Sequence, residues 1–136
     1  MNPQFQALLD QAGQAILDQS ASSLQQICAD WISEEEIKNF LQTLNNKELE
    51  IRETLSDMEI GAADAYEVDD NSCTLAELKA DGVTLPPEIT EDNFLAWGCI
   101  VIYADEGEWS LGEVWCAAVT EGTDCKIGYL LVEDPD

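Results

Sequence analysis

Apolar residues in the first sixty positions recur at helical spacing. Phe5, Leu8, Leu9, Ala12 and Ile16 fall three or four apart with glutamines on the other face, which predicts an amphipathic first helix. Ser22 with Gln25 reads as a capping box opening a second helix through Leu24, Ile27, Cys28 and Trp31. Ser33 with Glu36 opens a third, carried by Ile37, Phe40, Leu41 and Leu44. Asn45 and Asn46 interrupt that pattern. Ile51, Leu55 and Met58 then continue it to about Gly61, which suits a C-cap.

The pattern changes after Gly61. Residues 62–93 are acidic and rich in turn formers, and their only clear element is a short helix, LAELKA, capped by Thr74 with Glu77 and stopped at Asp81-Gly82. Three stretches rich in β-branched and aromatic residues follow, at 94–104, 111–120 and 126–132, separated by glycine-containing turns. In the first of these, both Trp97, Cys99, Val101 and Phe94, Ala96, Ile100, Ile102 are apolar, so the sheet needs cover on both faces. Either helices flank it or another chain does, which leaves room for a homodimer. The expected fold is α+β: a helical N-terminal half packed on an antiparallel β-meander of three strands or slightly more. We read residues 1–136 as a single domain, with 1–61 mainly helical, 62–93 an acidic connecting segment and 94–136 strands; no internal repeat divides it.

Charge adds what the pattern of apolar residues does not. The chain carries 29 Asp and Glu against 5 Lys and Arg, with no His, for a net charge of −24, concentrated after Gly61. Solubility of a small domain needs a net charge of only about 2–8. Such an excess steers basic partners to the surface and disfavours direct binding of nucleic acid or anionic membrane, since both are themselves negative. No apolar run approaches the ~20 residues needed to span a bilayer. The N-terminus lacks the basic segment of a signal or transit peptide, so a cytosolic protein is expected. Cys28, Cys73, Cys99, Cys116 and Cys125 show no CxxC spacing, and without His a zinc site would need four scattered thiolates. Reduced, mostly buried cysteines are expected.

Candidate chemistry is thin. No imidazole exists to activate a Ser or Cys nucleophile, and no glycine-rich phosphate loop is present. Asp69 and Asn71 alternate as in a calcium loop, but Cys73 stands where a third oxygen ligand belongs. The expectation is no enzyme, no cofactor and no metal. Acidic clusters remain. Glu50, Glu53 and Asp57 recur on one helical face; Asp69 and Asp70 are adjacent; Asp105, Glu106 and Glu108 occupy the first hairpin tip beside Trp109. For each cluster alone, a solvated surface is the simpler account. Taken with the whole-chain imbalance, these residues define a candidate partner-binding surface in which Trp109, an aromatic inside an acidic rim, has the composition of an interface hot spot. Trp97 and Trp115, mid-strand, are expected in the core. The function expected is that of a non-enzymatic inhibitor that occludes a basic nucleic-acid-binding protein, as nucleic-acid mimics of the anti-restriction or anti-CRISPR kind and nuclease immunity proteins do. The alternative is an acidic accessory or chaperone-like module that binds a protein partner through an apolar surface.

Overall fold

The computed structural model describes residues 3–55, 57, 59–71, 73–104 and 109–133. Helix α1 (Pro3–Leu17) buries Phe5, Leu8, Leu9, Ala12 and Ile16, the face marked out by their spacing. Gln19, at φ 53°, turns the chain into α2 (Ala21–Ile27). The cap of α2 is Ser20, whose hydroxyl accepts from the Ser23 N–H, rather than Ser22. The helix also stops well before Trp31. Cys28 adopts extended geometry and bridges Ile127, and the Ala29 N–H donates to the Ile127 carbonyl at 2.8 Å. Backbone pairing with the sheet thus ends the helix. Trp31 anchors the same crossing by donating its indole N–H to the Gly128 carbonyl at 2.9 Å.

Helix α3 (Glu34–Thr54) begins at the expected cap, Ser33, with three glutamates in its first turn, where the helix dipole favours them. It runs unbroken through Asn45 and Asn46. Asparagine costs only about 0.7 kcal/mol in a helix; here the Gln42 side chain donates to Asn46 Oδ1 at 2.9 Å, and Leu44 is buried behind. The helix ends at Thr54 with Leu55 as C-cap, not near Gly61. Arg52 Nε donates to the Ile60 carbonyl at 3.2 Å and folds the chain back.

The connecting segment contributes a strand that the sequence did not announce, β1 (Ala63–Asp70). The short helix α4 (Leu75–Ala80) follows, with the full reciprocal capping box of Thr74 and Glu77. Strands β2 (Phe94–Ala104), β3 (Trp109–Glu121) and β4 (Asp124–Glu133) complete a four-stranded antiparallel sheet in the order β1-β2-β3-β4. The architecture is α+β, a helical N-terminal half against a β-meander.

Helices α1, α2 and α3 share one face of the sheet: α1 crosses β1, β2 and β4, α2 meets β4, and α3 meets β3 and β4. The main core lies in this seam, where Phe5, Leu9, Leu24, Ile37, Ile100, Ile102, Val114 and Ile127 are wholly buried. Each such side chain contributes about 1.5–3 kcal/mol of transfer free energy. The outer face is covered differently. Helix α4, residues 83–89 and the link between α2 and α3 lie against it, in a second cluster where Ala29, Leu75, Leu78 and Ile89 meet Trp97, Ala117 and Val119. Cover on both faces, expected from the doubly apolar β2, is therefore present but unequal.

Candidate partner-binding surface

Antiparallel register fixes what the outer face presents, because side chains two apart on a strand share a face and opposed residues form rows across it. One row is Trp97, Ala117 and Tyr129; the next is Asp69, Cys99, Trp115 and Leu131; a third is Glu67, Val101, Glu113 and Glu133. Ala117 sits between Trp97 and Tyr129, and its small side chain lets the two rings approach across the intervening strand to 6.3 Å at 19°. Trp97 stacks on Trp115 at 5.8 Å and 15°. The three rings form one platform. Trp97 is buried under α4, whereas Trp115, Tyr129 and Leu131 are half-exposed.

Carboxylates border the platform. Neighbouring strands lie about 4.8 Å apart, so Glu113 and Glu133 face each other at roughly that backbone spacing, with Glu67 about 10 Å beyond Glu113. Like charges directly opposite cost a sheet stability, on the order of 0.2–1 kcal/mol a pair. Tyr103 donates its hydroxyl to Glu67 Oε2 at 3.1 Å. Burial, then that hydrogen bond and the charges of Glu67 and Glu113, push the Tyr103 phenol up; burial and Glu133 do the same to Tyr129. For both tyrosines burial is the larger cause, and the neighbouring carboxylates add to it. The Trp115 indole N–H is buried and has no acceptor among the described residues, so no hydrogen bond of its own fixes that ring.

The described acids among those selected from sequence lie on different faces of the protein. Asp69 lies on the outer face, one row from Glu67. Asp70 is half-buried at the end of β1, where it acts with Glu77 and Asp81 on the Cys73 thiol, whose pKa is raised first by burial and then by these charges. Glu50 and Glu53 are exposed on α3, in the helical layer, with exposed Asp57 beyond that helix's end. Asp105, Glu106 and Glu108 lie outside the described residues. Trp109 has a core role that its position among acids concealed: it packs on Ile60, Ala104 and Leu111, together with Ile51 and Leu55, in a third small cluster. Sequence reasoning passed over Glu67, Glu113, Glu133 and Tyr129. The signal was present in part, since Glu113 and Trp115, two apart in a strand, must share a face.

None of the five cysteines is in a disulfide; Cys28, Cys99 and Cys116 are buried. Burial pushes Cys28 up to about 12, with Lys126 pulling slightly the other way, and lifts Cys116 further still. Such thiols are poor nucleophiles. Among the described residues, no group of three or more Cys, Asp or Glu is placed to hold a metal ion, and no helix is long and apolar enough to cross a membrane. Comparison with protein-family profiles, with curated proteins and with solved structures finds no significant match to this chain.

Proposed function

We propose that this chain is an acidic, non-enzymatic binding protein that occupies a basic surface on a nucleic-acid-binding protein and so blocks it. The observation that carries the reading is the third row of the outer face, where Glu113 and Glu133 stand opposite each other beside stacked aromatic rings. Carboxylates set opposite each other at the border of an aromatic platform suit a surface that meets a cationic partner. The mechanism is electrostatic steering to a Lys/Arg-lined surface, followed by occlusion of the nucleic acid that surface holds. The half-exposed Trp115, Tyr129 and Leu131 favour a second reading, an accessory module that docks through apolar contact with its charge serving solubility.

Salt separates the two. Protein captured on the immobilised chain from a cell extract, with nucleic acid first digested, is eluted by a rising salt gradient and then offered polynucleotide in competition. A blocking protein releases its partner as the Debye length falls from about 10 Å at 0.1 M to 3 Å at 1 M, and polynucleotide displaces it. Capture that survives 1 M salt and ignores polynucleotide overturns the blocking reading in favour of the apolar module.

A further inference from the structure

A groove of about 380 Å³ lies between α4 and the outer sheet face. Trp97, Trp115 and Leu131 line it from the sheet; Glu77 and Asp81 come from α4 and its C-cap, and Glu133 from β4. We infer that this groove receives an arginine side chain of the partner, its guanidinium lying against the half-buried Trp115 and paired with Glu77, Asp81 and Glu133.

The inference rests on the reading of a basic partner and names the contact that partner makes. Trp115, half-buried and backed by the buried Trp97 stacked on it at 5.8 Å, offers π surface beside acidic groups, and a cation over an indole is attracted by the ring quadrupole. No Lys or Arg lines the groove, so its negative charge is not neutralised from within. The Cys73 thiol, which also borders it, is raised by Glu77 and Asp81 in addition to burial. The occupant is not a bare metal ion: no three acids among the described residues converge closely enough. Acids spread around an aromatic floor suit a flat, extended cation. Guanidinium meets that description better than ammonium, being planar, more weakly hydrated and able to hydrogen-bond a carboxylate through two N–H groups while stacking. An uncharged apolar segment would bury these carboxylates without compensation.

The test uses two tryptophan-free peptides of equal charge, one alternating glycine with arginine and the other glycine with lysine, titrated at low salt. The indole N–H resonances of Trp97 and Trp115 are followed by NMR. The arginine peptide should move both signals saturably and bind about fivefold or more tightly than the lysine peptide. Asp81→Asn combined with Glu133→Gln should weaken it about tenfold, and Trp115→Leu should remove the preference for arginine while leaving charge-driven binding. If Trp115→Leu does not fold, the paired charge variant alone decides. Arginine peptide that binds with both indoles unmoved, or an arginine preference that survives Trp115→Leu, overturns the groove assignment and leaves the basic-partner reading standing. Failure of both peptides to bind at low salt overturns the basic-partner reading itself.

Discussion

Gly98→Ala tests how α1 is seated on the sheet. Gly98 lies in mid-β2 beneath the wholly buried Phe5, and a Cβ there would meet Phe5 Cζ at 2.7 Å and the Asp69 carbonyl oxygen at 2.8 Å. Both distances are shorter than carbon contacts tolerate, and the second involves backbone, which cannot swing aside. Alanine in a strand otherwise gains about 0.5–1 kcal/mol over glycine. Overpacking a dense core costs about 1–3 kcal/mol, and two simultaneous clashes place this site in the upper half of that range. The net expectation is a loss of about 2 kcal/mol, or roughly 6–10 °C in melting temperature at this chain length. Urea unfolding followed by circular dichroism supplies the value, with an unchanged m-value as the check that the transition stays two-state. Phe5→Leu in the same chain should recover part of the loss, a coupling of about 1 kcal/mol, since it removes one of the two clashes. Gly82→Ala is the control: at φ +88° with nothing within 4 Å, it should cost about 1 kcal/mol through the backbone alone and show no coupling to Phe5. A neutral or stabilising Gly98→Ala, or strict additivity with Phe5→Leu, would refute the seating of α1 on β2.

Two further outcomes follow from titrating groups. Burial raises the Glu48 carboxyl above its ordinary 4.5, with Arg52 opposing, so the folded chain holds that proton more tightly than the unfolded one does. Its contribution therefore favours the fold below the ordinary carboxylate value and is lost as pH rises through the raised one. Glu48→Gln should stabilise the protein at pH 7 by less than about 1 kcal/mol, given the group's partial exposure, and the gain should vanish below pH 4.5 in melts across that range; a gain that grows on acidification contradicts the assignment. Thiol titration with a chromogenic disulfide should find Cys73 and Cys125, both half-buried, reacting first, and Cys28, Cys99 and Cys116 only on unfolding, for five in all; immediate reaction of Cys116 would contradict its burial.

Where local chemistry decided the structure, it was legible in the sequence. The buried face of α1, the Ser33 and Thr74 caps and the span of β2 follow from spacing and from hydrogen bonds made within a few residues. Where a distant partner decided it, the sequence was silent. Helix α2 yields at Cys28 because Ile127, far along the chain, offers a backbone partner. Strand β1 alternates Asp64, Glu67 and Asp69 with Ala63, Tyr66 and Val68, a pattern broken by the register shift between Ala63 and Ala65 and weak until β2 pairs with it. Its exposed acids also suit an edge strand, since charge there discourages further strand addition.

The candidate surface divides in the same way. Net charge comes from composition alone, but the row that sets Glu113 opposite Glu133, with Glu67 beyond Val101, is a product of register across four strands. A slip of one residue in any strand would turn its members toward the helices. The apolar positions that drive β2 and β3 onto α1 and α3, Ile100, Ile102, Val114 and Cys116, are thus the same positions that force Trp97, Trp115, Glu113 and Val101 outward. On this sheet the aromatic platform and the carboxylate row are the reverse side of the core. Mutations that loosen the packing of Phe5 or Val114 should consequently disturb the surface as well, without touching any residue on it.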